Sequence, residues 1–107
     1  MSRGITRERQ VRRLLEAEDW WVARAAGSLG DADLIALKLG KRPLLIEVKS
    51  TTAGPFHSFG PKDRAELLLA AEISGADAVL CWWPPRAKPM WIEPESWPVS
   101  RPPREAA

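Results

Sequence analysis

The stretch Leu44-Leu-Ile-Glu-Val-Lys-Ser50 decides the fold: it is an apolar run carrying two opposite charges, Glu47 and Lys49, two residues apart. Read as a β-strand, its period of two sends Leu45, Glu47 and Lys49 to one face and Leu44, Ile46 and Val48 to the other. A strand this apolar belongs in an interior, where charged side chains need partners. Two explanations are open from this stretch alone. One is a structural ion pair at a strand end, and the other is a reactive site that uses both charges.

Upstream, Asp33-Leu-Ile-Ala-Leu-Lys-Leu39 reads as a second strand, and Gly40-Lys-Arg-Pro43 joins it tightly to the first as a β-hairpin. With the turn centred near residues 40–42, Asp33 falls opposite the stretch from Glu47 to Lys49. Directly opposed residues share a face. Pairing of Asp33 with residue 47 or 49 therefore gathers three charges on one face at one end of the hairpin. A slip of one residue sends Asp33 to the other side.

Further upstream, Thr6 is placed to cap a helix running to about residue 18, with Val11, Leu14 and Leu15 as its apolar stripe. Glu8 stands three residues before Val11 and seven before Leu15, on the inward face. An acid there is out of pattern, unless it answers the positive end of the helix from the first turn. Asp19 closes the helix, residues 20–25 read as a strand, and Gly27-Ser-Leu-Gly-Asp31 as a turn. Downstream, residues 51–60 form a loop containing the sole histidine, His57. Pro61 opens a second helix over 62–74, with Leu67, Leu68, Ala70 and Ala71 on its apolar side and Gly75 ending it. Residues 78–83 and 88–92 read as the last two strands, separated by Pro84-Pro85, and from Pro94 the chain reads as irregular. The order α-β-β-β-α-β-β predicts an α/β fold with a mixed central sheet of about five strands flanked by helices. Residues 1–97 are expected to form a single domain, and 98–107 a proline-rich tail.

Composition narrows the function classes. No apolar run approaches the ~20 residues of a membrane span, and the N-terminus lacks a signal-peptide core. The single cysteine, Cys81, excludes an internal disulfide and a cysteine zinc cluster, and it fits a reducing, cytoplasmic setting. The net charge of +2 hides an asymmetry: residues 1–13 carry Arg3, Arg7, Arg9, Arg12 and Arg13 against one acid, Glu8. Arginines suit bidentate phosphate contacts, though the same cluster also describes a solvated helix face. Six tryptophans, four of them between residues 82 and 97, offer core, a dimer interface or a platform for bases. No internal repeat, phosphate-cradling glycine loop, Cys/His cluster or nucleophile triad is present.

The chemistry on offer is therefore the acids and the lysine. Magnesium takes one or two carboxylates together with water and substrate phosphate. Asp33 and Glu47 would supply the carboxylates, the Val48 carbonyl a third oxygen, and Glu8 a hold on water or on a second ion. Lys49 would position the attacking water or stabilise the developing oxyanion. This is the constellation of a metal-dependent phosphodiesterase. Glu-x-Lys alone is weak, since nine glutamates produce it by chance about as often as not. The apolar strand, the upstream aspartate and the inward helix acid make the combination more specific.

Taken together, the run Gly4…Glu8-Arg9, then Val22-Ala-Arg-Ala-Ala-Gly-Ser28, then Asp33-Leu-Ile-Ala-Leu-Lys38, then Leu45-Ile-Glu-Val-Lys-Ser50 resembles the archaeal-type Holliday junction resolvases. These belong to the PD-(D/E)XK nuclease superfamily and are also encoded by phages. The resemblance covers about residues 4–80, with all four segments in the family's order. It implies a homodimeric, magnesium-dependent endonuclease, with manganese able to substitute, that makes paired symmetric nicks in four-way DNA junctions. By position it implies Asp33 and Glu47 as metal ligands, Lys49 as the catalytic lysine, Glu8 as the helix glutamate near the metal and Ser28 as the active-site-loop serine. The chain departs from the family in three places. Only four residues separate Ser28 from Asp33, Arg64 stands where relatives tend to place a glutamine, and the C-terminal segment is short and tryptophan-rich.

The arginines of the first helix, with Arg24, Lys62 and Arg64, are then candidate phosphate contacts. Two other readings compete: a related nuclease acting on duplex ends, nicks or unpaired DNA, and a DNA-binding module that keeps the fold without turnover.

Overall fold

The strand of the opening stretch is the one on which the rest of the fold is laid. In the computed structural model, which describes residues 3–25 and 32–99, it has an antiparallel neighbour on one side and a parallel neighbour on the other. The elements run α1 (Arg3–Glu16), β1 (Trp21–Arg24), β2 (Leu34–Leu37), β3 (Leu44–Lys49), α2 (Pro61–Ser74), β4 (Asp77–Trp82) and β5 (Met90–Ile92). This is the expected α-β-β-β-α-β-β order, and the five strands form one mixed sheet in the order β1-β2-β3-β4-β5. Only the β3–β4 pair is parallel. The reason is the connection: parallel neighbours need a long crossover, and α2 supplies it.

The alternation of β3 divides the interior in two. Ile46 and Val48, with Leu34, Ala36, Val79, Cys81 and Trp83, pack against Val11 and Leu15 of α1. Leu45, with Ala78 and Leu80, packs against Leu67 and Ala71 of α2 and against Phe59 and Trp97. Each face of the sheet thus has its own helix and its own apolar layer. No helix among the described residues is long and apolar enough to cross a membrane.

Several boundaries differ from expectation, each for a local reason. α1 begins at Arg3, so Thr6 lies inside the helix; a residue able to cap does not stop a helix that can extend upstream of it. The helix closes through Asp19, at φ 72°, where the Trp20 N–H donates to the Leu15 carbonyl at 3.1 Å. Leu14 and Leu68, both assigned to apolar stripes, are 45% and 42% exposed. Each is adjacent to a truly inward leucine, and the 100° step of a helix turns one of two neighbours outward. In α2 the inward line is Arg64, Leu67, Ala71, so an arginine occupies the first core position. The chain also stays ordered past Pro94. A 3-10 turn over Pro94–Ser96 delivers Trp97 edge-on to Phe59, with ring centroids 5.1 Å apart. The Trp97 indole N–H donates to the Ile92 carbonyl at 3.0 Å, so buried aromatic area and a satisfied polar edge anchor the segment.

Candidate active site

In the hairpin, Leu34 pairs with Ile46, Ile35 with Leu45 and Ala36 with Leu44. The ladder ends there, and the expected pairing of Asp33 with residue 47 or 49 is not part of it; Asp33 meets β3 at Ile46 and Val48 instead. Asp33 is clipped to β3 twice. Its N–H donates to the Ile46 carbonyl at 2.9 Å, and its Oδ2 accepts the Val48 N–H at 2.8 Å. Lys49 Nζ lies 3.2 Å from Glu47 Oε2, with both side chains mostly buried. The structural ion pair that the sequence allowed does exist, but it does not neutralise the site.

The electrostatics show the excess. Burial, reinforced by the charge of Asp33, pushes the Glu47 carboxyl up to about 7, and Lys49 only partly offsets this. Burial also raises Asp33, against the pull of the Val48 N–H, and the nearby Glu8 adds to the rise. Two desolvated carboxylates, raised by burial and nearby acids beyond what their lysine offsets, form an underfilled set of hard oxygen donors. That donor set fits a divalent cation of the magnesium type, which asks for one or two carboxylates and completes its shell with water. Among the described residues no three His, Cys, Asp or Glu side chains come close enough to cage a metal by themselves.

Glu8 does turn inward, but not as a third equal member of the group. Its Oε1 accepts the Arg24 Nε–H at 2.9 Å, an ion pair linking α1 to the end of β1. Because α1 begins at Arg3, its first turn holds no acid, so the helix-end explanation of Glu8 is set aside. The charge of Glu8 acts on Asp33 and is not among those that raise Glu47. The acid whose charge does add to that of Asp33 at Glu47 is Asp63, in the first turn of α2. Sequence reasoning missed it; an acid just after the helix-opening Pro61 was the available signal.

The basic residues divide into engaged and displayed. Arg12 pairs with Glu16 at 2.9 Å, and Arg7 donates to Gln10 at 2.9 Å while its guanidinium lies 4.5 Å above the Trp83 ring. Arg64 is buried, donates to the Phe59 carbonyl at 2.7 Å and lies 5.7 Å from the Phe56 ring centre, bracing the loop that leads into α2. Arg9, Arg13 and Lys62 are exposed. The Arg3 side chain and Ser28 lie outside the described residues.

The chain is similar in sequence and in fold to known proteins. The family model described as archaeal Holliday junction resolvase (Hjc) matches residues 1–100. A curated relative, the crossover junction endodeoxyribonuclease Hjc of Methanocaldococcus jannaschii, is 37% identical over 78 residues, which is 73% of this chain and 56% of that protein. The chain therefore spans little more than half the length of this relative. The solved structure of Hjc from Archaeoglobus fulgidus, a Holliday junction resolvase, superposes with a TM-score of 0.80 at 25% identity, covering 94% of this chain and 80% of that one. The chain belongs to the archaeal Holliday junction resolvase family.

Proposed function

We propose that this chain is a structure-selective endonuclease that resolves four-way DNA junctions by metal-dependent phosphodiester hydrolysis, with paired symmetric nicks. The observation that carries the reading is the pair of desolvated carboxylates, Asp33 and Glu47, left undercompensated beside Lys49 in a member of this family. Asp33, Glu47 and the Val48 carbonyl would hold the divalent ion, Mg2+ with Mn2+ as a substitute. When bound, that ion activates water for attack and neutralises charge on the scissile phosphate. Asp33 is pre-aimed by the Val48 N–H. Lys49 Nζ, steered by Glu47, stabilises the oxyanion that develops on the phosphate. Glu8 keeps Arg24 at the rim of the site, and Ser28 takes the role of active-site-loop serine that the family resemblance implies.

Phosphate contacts fall first to the displayed Arg9, Arg13 and Lys62, which position DNA without reading its sequence. Arg7, Arg12 and Arg24 complete the basic surface, Arg3 is a candidate contact from its sequence position alone, and Arg64 acts as a brace from within. A two-fold dimer matches a two-fold junction. The exposed Leu68, Leu69 and Ile73 of α2 support a homodimer, as does the cross-strand pair Trp21 and Leu37 exposed on the same side of the sheet. The DNA substrate and the buried free thiol of Cys81 support a cytoplasmic setting, on nucleoid or phage DNA.

The deciding assay compares a four-way junction with linear duplex under excess competitor, with and without magnesium. Paired symmetric nicks in the junction, dependent on the metal, are expected. Equal cutting of linear duplex points to a related nuclease of different substrate choice. Binding without cutting points to a non-catalytic module, a reading that the intact Asp33, Glu47 and Lys49 oppose.

A further inference from the structure

The geometry points to Trp82 as a substrate-positioning residue, on whose indole face the base flanking the scissile phosphate stacks; this rests on the nuclease reading above. The parallel register pairs Lys49 with Trp82, and the antiparallel one pairs Trp82 with Met90. Paired residues share a face, so Lys49, Trp82 and Met90 form the last row across the sheet on its α2 side. The preceding row is Glu47, Leu80 and Ile92. Leu80 is fully buried in the core, whereas Trp82, one row on, is half-buried and packs into neither core cluster. Its neighbour Trp83 turns to the other face and does the work of core.

The Trp82 ring is also held. Its indole N–H donates to the Thr51 carbonyl at 3.2 Å, tying it to the loop that leaves β3. Its polar edge is therefore satisfied, and what remains to offer is the aromatic face. Met90, half exposed, extends that surface away from Lys49. Adjacent strands lie only about 4.8 Å apart. A nucleotide whose phosphate meets Lys49 thus brings its neighbouring base over Trp82. Stacking of this kind tolerates any base, because every base has a π-face. It does require the base to leave its own stack, which costs least where pairing is already disturbed, as at a branch point. Trp82 thereby favours branched over continuous DNA without reading sequence.

The test uses the full chain and a junction bearing 5-iododeoxyuridine beside the mapped cleavage position. Irradiated in chelator, wild type should crosslink through Trp82, located by mass spectrometry; crosslinks confined to other residues, or none, overturn the inference. In parallel, Trp82→Leu keeps bulk but loses the ring, and should raise the half-saturating junction concentration roughly tenfold while single-turnover cleavage at saturation changes little. Trp82→Phe should recover most of that loss. Equal behaviour of the Leu and Phe variants overturns the inference, and the crosslink decides alone if the Leu variant does not fold. A wild type that cuts no junction defeats the nuclease reading, and this inference with it. A wild type that cuts, with Trp82→Leu cutting alike, defeats this inference only.

Discussion

The two faces of the sheet differ most at the ends of β3 and β4. On the α1 side those ends carry Ile46, Val48, Cys81 and Trp83, all buried. On the α2 side, one residue out of phase, the same strands carry Glu47, Lys49 and Trp82, none of them fully buried. The difference lies in the cover. α1 and its partners close over Ile46, Val48, Cys81 and Trp83, whereas Phe59, Leu67 and Ala71 cover Leu45, Ala78 and Leu80 and leave the last row. A charged pair at the edge of cover is desolvated enough for its carboxyl to rise, yet still reachable by a substrate. Polar chemistry sits here because packing stops here.

Removing one charge on the open face should have the largest effect. Glu47→Ala, Asp33→Ala and Lys49→Ala are each expected to lower single-turnover junction cleavage by more than about a hundredfold. Binding measured by gel shift should persist, because the phosphate contacts lie on other elements. Unchanged cleavage in any one of them would sink that residue's assignment.

The covered face should respond in stability. Ile46, fully buried beside Glu47, contributes packing and no charge. Ile46→Ala should cost about 2–5 kcal/mol in denaturant unfolding, from lost burial and a residual cavity. Cleavage by the folded fraction at low temperature should stay within severalfold of wild type. A hundredfold drop in a well-folded Ile46→Ala protein would mean that the two faces cannot be separated.

A smaller effect distinguishes desolvation from simple pairing at Glu47. Its carboxyl rises to about 7 in the fold from an ordinary 4.5, so the folded state holds a proton that the unfolded state releases between those values. Stability in chelator should therefore fall as pH rises from 4.5 to about 7, then level off, and the raised Asp33 acts in the same direction. The expected loss is roughly 1–3 kcal/mol. Glu47→Gln should remove most of that slope and be the more stable protein at pH 8 without metal. Magnesium should raise the melting temperature of wild type and not of Glu47→Gln. A wild type that grows more stable over this window than Glu47→Gln would show that Lys49 outweighs burial.

Much of this contrast was legible in the sequence, because period two and a tight turn are local rules. Together they set Leu45, Glu47 and Lys49 against Ile46 and Val48, and they bring Asp33 to the Glu47 end of the hairpin, where it meets β3 through Ile46 and Val48. Less legible was whatever depends on tertiary neighbours. The partnering of Glu8 with Arg24 joins two elements sixteen residues apart, and no helical spacing announces it. Asp63 reaches the field of Glu47 only because α2 crosses the sheet at that end. Arg64 reads in the sequence as a candidate phosphate contact, since nothing local shows that the Phe59 carbonyl and the Phe56 ring draw it inside. Pro94 marked the end of the strands, but not that a 3-10 turn would form there and that Trp97 would pin the segment to the core.

The smallest expected effect extends the contrast between covered and open surfaces to α1 itself, whose inner side closes the core through Val11 and Leu15 while Arg9, Arg12 and Arg13 face outward. Arg12 is held by Glu16, with both side chains about half exposed, while Arg13 has no such partner among the described residues. A cation already paired delivers less of its charge to a phosphate, since binding must first compete with the acid. Arg13→Ala should therefore reduce the salt dependence of junction binding by about one in the slope of log affinity against log salt, and Arg12→Ala by less. Glu16→Ala should sharpen the difference by releasing Arg12, steepening the slope relative to wild type. The effect should be nearly uniform across junctions of different sequence, because phosphate contacts carry no base information. An unaltered slope in the Arg12→Ala and Arg13→Ala double variant would take the outer side of α1 off the DNA surface and leave Lys62, beside the site on α2, as the nearest displayed cation to carry the arms.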